Sequence, residues 1–178
     1  MQKSLENPWN PEILLKKKKK KKKKNKKQLL YIYINMKNEI DKETLIKALE
    51  NEENEKMMQL TSSKIMCQKN NILQKMQIKG DLLKSYHKKL KEYRLIEDID
   101  DITYGNYIRW FNIKDPNSIK LTNGAHICDI KICKSGTHII CKNRFNKLFT
   151  LIMDECIIFQ KLNREEMILL SVINYLDK

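Results

Sequence analysis

Five cysteine and histidine side chains occur close together in the second half of the chain: His126, Cys128, Cys133, His138 and Cys141. Thiolate and imidazole groups are the usual ligands of zinc, and a cysteine beside a histidine can also act as a nucleophile with its base. Either chemistry requires that the side chains converge on one point. Because the spacing contains no C-x-x-C pair, the local secondary structure decides whether they meet.

The sequence around these residues alternates as two strands joined by the tight turn Lys-Ser-Gly. That turn predicts His126, Cys128 and His138 on one face of a hairpin, and Cys133 and Cys141 on the other. The candidate ligands are therefore divided, so we interpret Cys128 as a small core residue and the other thiols as incidental. No phosphate-binding or hydrolase motif occurs elsewhere, and we expect a protein that is not an enzyme and uses no metal or cofactor.

Aromatic residues on the first predicted strand form a second candidate site. Tyr104, Tyr107, Trp110 and Phe111 surround Arg109. On a small barrel such residues can line a peptide groove, enclose a cation or stack on bases, and they can equally be ordinary core residues. Tyr107 and Phe111 share one strand parity and Trp110 has the other, so one set is expected to face the core and the other to offer a partner surface.

A lysine run near the start of the chain is the third candidate. As a tail it would stay disordered, and it would bind phosphate backbones without sequence preference or serve as a nuclear localisation signal. The run and the following YIYIN also read as translated AT-rich DNA, which makes Met36 the expected true start of the protein. The predicted nucleic-acid-binding residues of the tail are Lys16, Lys17, Lys18, Lys19, Lys20, Lys21, Lys22, Lys23, Lys24, Lys26 and Lys27.

The formal charge of +14 is concentrated in the same region. Residues 1–38 hold 13 lysines and two glutamates, a charge of +11, which leaves +3 for the other 140 residues. The five cysteines are an odd number, and we find no secretory signal and no apolar run of membrane-spanning length. These features predict an intracellular protein with free thiols, located in cytoplasm, nucleus or virion.

The elements that position these residues begin with a helical arm at residues 36–97, after a leader at 1–35. Helices are predicted at about 41–78 and 81–97, with a break at Gly80. Leu83, Tyr86, Leu90 and Tyr93 have the 3-4-3 spacing of a coiled-coil seam. The arm is expected either to pack on its own domain or to pair with another subunit. The acidic run at 97–101 is interpreted as a linker; a metal site there is the alternative.

Residues 98–178 are predicted to form a small antiparallel barrel. Five short strands joined mainly by hairpins favour an SH3-like or Sm-like barrel. A C-terminal helix follows, with Asn163 and Glu166 spaced as an N-terminal capping box. The predicted fold is therefore α+β: a coiled-coil-like arm, a five-stranded barrel and a final helix that plugs one end of the barrel.

Residues 105–166, from GNYIRWFNI to IMDECIIFQKLNREE, resemble small uncharacterised proteins of large nucleocytoplasmic DNA viruses. The resemblance covers about a third of the chain and includes no motif of known chemistry. The resemblance implies a viral protein. The heptad-like seam and the absence of catalytic motifs predict a non-enzymatic binding or assembly protein, with protein partners or self-association through the arm and the barrel. The alternative is a nucleic-acid-binding protein that acts through the lysine tail; no membrane contact is expected.

Overall fold

The computed structural model describes residues 42–78, 80–114 and 119–176. These residues form an α+β protein with four helices and one antiparallel sheet of six strands. The helices are α1 (Lys42–Glu50), α2 (Ser62–Lys75), α3 (Gly80–Lys89) and α4 (Arg164–Leu176). The strands are β1 (Tyr93–Ile96), β2 (Tyr107–Asn112), β3 (Ala125–Cys133), β4 (Gly136–Lys142), β5 (Leu148–Ile152) and β6 (Cys156–Lys161).

The strand order is β1-β6-β2-β3-β4-β5, and one face of the sheet forms a core by itself. This inner face contributes buried side chains from all six strands, including Ile96 on β1, Ile127 on β3 and Leu151 on β5. The sheet is curled, because Trp110 on β2 and Phe149 on β5 lie with their ring centroids 5.6 Å apart although two strands separate them in the sheet order. The inner core is thus closed largely by the sheet's own curvature.

Helices α2 and α3 cover part of the opposite, outer face. Their cluster joins Leu73 of α2 and Tyr86 of α3 to Phe111 on β2 and Phe159 on β6. The ring of Phe111 meets those of Tyr86 at 5.3 Å and Phe159 at 6.0 Å, both edge-to-face. Such contacts add to the stabilisation that burial provides. The cluster takes its strand members from β1, β2 and β6 and has none from β3, β4 or β5.

The predicted helix boundaries require correction. The expected helix 41–78 is divided into α1 and α2, and Thr61 begins α2 by accepting a hydrogen bond from the backbone N–H of Lys64 at 3.2 Å. The expected helix 81–97 ends at residue 89, and Lys69 donates to the carbonyl of Leu90 at 2.8 Å there. Residues 93–96 are strand β1, because pairing with β6 satisfies their backbone in place of helical hydrogen bonds.

The seam of the predicted arm faces the protein's own sheet. Tyr86, Leu90 and Tyr93 are buried with Phe111, and Leu83 packs against the same cluster. A coiled-coil arm is therefore not confirmed. The five predicted strands are found as β2 to β6, but a closed five-stranded barrel is not confirmed either, because β1 is a sixth strand and the described sheet is open between β1 and β5.

The C-terminal helix begins as predicted. Glu166 donates its backbone N–H to the side chain of Asn163 at 2.8 Å, and the Glu166 carboxylate accepts the backbone N–H of Asn163 at 2.9 Å. This capping box satisfies two N–H groups that a helix start leaves without partners. Helix α4 packs its buried Leu169 and Val172 on α1, so its main neighbour is a helix and not the open end of a barrel.

Candidate functional site

The outer face of β3, β4 and β5, here called the hairpin face, is positioned by a β-bulge at Cys128. The pairing of β3 with β4 shifts register between Ile127 and Asp129. One extra residue reverses the alternation of the strand, so Ile127 and Ile130 both join the inner core and Cys128 is exposed. The outward side chains are His126, Asp129, Lys131 and Cys133 of β3, His138, Ile140 and Lys142 of β4, and Leu148, Thr150 and Ile152 of β5.

The expected assignment of the thiols is wrong, because the bulge turns Cys128 outward and the pairing of Cys133 with Gly136 places Cys141 on the core face. Cys141, not Cys128, is the core cysteine of the hairpin. Burial, with smaller contributions from Cys128 and Cys156, raises the pKa of Cys141 to about 12. Burial and then Glu155 raise the pKa of Cys156 to about 11. A thiol nucleophile requires the opposite shift.

The cysteines and histidines do not converge. His126 places its Nδ1 3.1 Å from the carbonyl of Gly105, and His138 contacts the hydroxyl of Ser135 at 2.9 Å. Among the residues that the structure describes, no group of three or more His, Cys, Asp or Glu side chains is placed to hold a metal ion. His126 is thus engaged with the turn that precedes β2, and His138 with the turn of its own hairpin.

The hairpin face is basic and partly apolar. Residues 125–152 carry five basic side chains and one acidic side chain, a formal charge of +4. Lys131 and Lys142 are exposed on the strands. Leu148 is 66% exposed beside Lys142, and Phe145 in the β4–β5 turn is 67% exposed with the Arg144 guanidinium 4.6 Å from its ring centroid. The remaining basic residues are Lys134, within the β3–β4 turn, and Lys147, which directly precedes β5.

A cleft of about 620 Å³ lies elsewhere, between the start of α2 and the segment after β1. Its acidic lining includes Asp98, Asp100 and Asp101, the run interpreted from sequence as a linker. Asp101 is held by Lys56 at 3.0 Å. Burial alone would raise the pKa of Asp101, but the hydrogen bonds from Lys56 and from the Asp98 backbone lower it below the ordinary value.

The wall of this cleft is a structural ion-pair network. Arg94 donates its Nε to the Glu166 carboxylate at 2.9 Å and its Nη2 to the carbonyl of Asp101 at 2.7 Å. Arg94 is 8% exposed and Glu166 2% exposed, and Glu166 also caps α4. The network therefore ties β1, the acidic segment and α4 together. We interpret these charges as holding the fold in place.

The aromatic candidates are largely core residues. Trp110 belongs to the inner core and is 9% exposed, and Phe111 lies under α3 and is 0% exposed. Tyr107 is half-buried and packs edge-to-face on His126, and Arg109 stacks over the ring of Tyr93 at 5.6 Å. Both strand parities therefore face packed clusters. Tyr104 is 59% exposed. A partner surface that includes Tyr104 therefore stays a prediction.

The predicted tail residues, Lys16–24, Lys26 and Lys27, lie outside the described residues. The basic residues of the hairpin face were not singled out from sequence. Lys131 and Lys142 share the outer face because Cys133 pairs with Gly136 across a two-residue turn. The sequence interpretation counted Gly136 as a turn residue and therefore placed the two lysines on opposite faces.

Comparison with known proteins gives no relative. No family model matches the chain, and neither a curated protein nor a solved structure matches it. None of the described helices is long and apolar enough to cross a lipid bilayer.

Proposed function

We propose that the protein is a non-enzymatic binding or assembly protein that holds an acidic protein segment on the hairpin face. One observation supports this most: none of α1 to α4 packs on β3, β4 or β5, although the same sheet is covered over β1, β6 and β2. An uncovered sheet face with both apolar and charged side chains is a typical interaction surface.

The charge of the face favours an acidic partner. Lys131, Lys142 and the flanking turn lysines outnumber Asp129, the one acidic residue of 125–152. Complementary charge speeds the association of two proteins and selects a partner of opposite charge. The exposed Leu148 and the half-buried Ile140 and Ile152 would supply apolar contact area between the lysines.

The non-enzymatic part of the proposal is supported by the thiols. The two cysteines nearest to the inner core, Cys141 and Cys156, have raised pKa values, which disfavour the reactive thiolate. We also propose that the curled sheet is a barrel-like variant of the expected SH3-like barrel, since its inner core draws on all six strands.

The test uses a chain that begins at Met36, because this removes the lysine run and no described element. Fluorescently labelled poly-glutamate is titrated against this chain and against K131E/K142E. The matched control is K75E/K84E, which reverses two exposed lysines on α2 and α3. We expect binding by the Met36 chain and by the control, and at least a tenfold loss in K131E/K142E. Equal binding by all three would overturn the proposal.

The second candidate is sequence-independent nucleic-acid binding by the lysine run, favoured by its eleven lysines within residues 16–27. A labelled single-stranded oligonucleotide tests it on the full chain and the Met36 chain. This candidate predicts affinity that falls steeply with salt in the full chain and disappears without residues 1–35. Equal affinity of the two chains would exclude the run as the cause.

A further inference from the structure

Strand β5 leaves one edge of the sheet open. Among the described residues its backbone pairs only with β4. Its sequence, LFTLI, contains no charge, proline or glycine. Edge strands of monomeric proteins usually carry a lysine, a proline or a bulge that prevents pairing with another chain, and β5 has none of these within its five residues.

The sequence of β5 is suited to antiparallel pairing with itself. A two-fold axis at Thr150 would place Leu148 opposite Ile152 of a second copy, and Phe149 opposite Leu151 of that copy. Every opposed pair away from the axis would then be apolar, on both faces of the strand. The two threonines on the axis would lie opposite each other with a hydroxyl and a methyl group each.

The charges at the ends of β5 favour the same arrangement. Lys147 precedes the strand and Asp154 follows it, and both are exposed. In an antiparallel pair the start of one strand lies beside the end of the other. Lys147 of one copy would therefore lie near Asp154 of the second copy, twice in the symmetric dimer, whereas a parallel pair would bring like charges together.

We propose that β5 pairs antiparallel with β5 of a second copy of this chain, with the two-fold axis at Thr150. The dimer joins two six-stranded sheets edge to edge and buries the unprotected strand of each. The two hairpin faces become one continuous basic surface. This inference rests on the proposed assembly role and names the partner of the β5 edge; the acidic partner on the hairpin face is a separate contact.

Cysteine cross-linking tests the axis directly. In the full chain, the exposed Cys67, Cys128 and Cys133 are first replaced by serine. T150C then places two thiols opposite each other, at the roughly 4.5–5.5 Å Cα separation of an antiparallel pair, within the range of a disulfide. The matched control is L148C, exposed on the same strand face, whose two copies would be four residues apart, about 13 Å.

We expect mild oxidation to cross-link T150C into a dimer and to leave L148C monomeric. The double variant L148C/I152C should cross-link as well, because those positions oppose each other in this register. No cross-link in T150C would overturn the proposal. Equal cross-linking of T150C and L148C would also overturn it, since that result reports random collision.

Light scattering on the full wild-type chain provides the second measurement. We expect a mass of twice 21.3 kDa at high protein concentration. T150K places two lysines opposite each other on the axis and should raise the dissociation constant of the dimer at least tenfold. Q74K adds the same charge on the exposed face of α2 and should leave that constant unchanged. A monomeric wild type, or a dimer unaffected by T150K, would refute β5 pairing. Poly-glutamate binding by the Met36 chain with its Thr150 intact, and its loss in K131E/K142E, would persist if only β5 pairing failed, so the two failures are distinguishable.

Discussion

The two halves of the sheet differ in what covers their outer face. Over β1, β6 and β2 the outward side chains of the cluster are large and are buried or half-buried, and α2 and α3 lie on them. Over β3, β4 and β5 the outward side chains are lysines, histidines, the exposed Leu148 and small or half-buried residues, and none of α1 to α4 packs on them. The inner core runs through both halves, so it stabilises the sheet, while the outer face distinguishes a covered half from one that is available to partners.

The largest expected difference between the halves is in the loss of unfolding free energy when an aromatic residue is replaced by alanine. F111A removes a ring that is 0% exposed and contacts two others, so we expect a loss of about 3–5 kcal/mol of unfolding free energy. F145A removes a ring that is 67% exposed, and we expect a change within about 0.5 kcal/mol. Urea unfolding measures both. Similar losses would mean that the hairpin face is covered in solution.

The buried ion pair on the covered side should contribute nearly as much to the unfolding free energy as the Phe111 ring. R94M leaves the Glu166 carboxylate buried without its cation, and we expect a loss of about 3–5 kcal/mol. Adding E166Q to R94M should restore part of that loss, because the uncompensated charge is then removed. Urea unfolding of the single and double variants provides the comparison. A loss below about 1 kcal/mol for R94M would show that the pair is solvated.

Alkaline pH should weaken the inner core that both halves share. Because the pKa of Cys141 is raised from 9.0 to about 12 in the folded protein, the stability it contributes is fully present below pH 9 and is lost as pH rises towards 12. The loss is on the order of 1 kcal/mol per pH unit in that window. C141A should reduce this slope, as measured by urea unfolding between pH 8 and 11. An unchanged slope would place Cys141 in contact with water.

The smallest effect is a difference in thiol labelling. At pH 8 the exposed Cys67, Cys128 and Cys133 should react with iodoacetamide in the native protein, and Cys141 should react only after unfolding. Peptide mass spectrometry identifies the labelled positions. Protection of Cys128 in the native protein would mean that β3 runs without its bulge, because Cys128 would then share the core face with Ile130.

Local signals predicted much of this fold. The capping box of Asn163 and Glu166 and the five segments of β2 to β6 could be recognised because each depends on neighbours within a few residues. Strand β1 could not, because Tyr93–Ile96 continues a helical pattern and becomes a strand through pairing with β6, more than 60 residues later in the chain. Tertiary pairing here outweighs local propensity.

The candidate site was harder to predict because one inserted residue changes its composition. Without the bulge, Asp129 and Lys131 would share a face with Ile127; with it, they join His126 and Lys142. Parity applied across the bulge therefore assigned the core thiol to Cys128. The basic face was missed because the turn at 134–136 was taken as one residue too long, which separated Lys131 from Lys142. The aromatic cluster was misleading for another reason: each side of β2 packs on a separate core, so neither parity faces solvent.

Amide hydrogen exchange of β5 at several protein concentrations tests the pairing of β5 with a second copy most directly. One experiment compares the protection of the open edge in the uncovered half with that of the covered half. The account predicts that protection of Leu148–Ile152 rises with protein concentration, while protection of β6, which pairs on both sides with β1 and β2, stays constant. Protection of β5 that does not change with concentration would contradict pairing with a second copy.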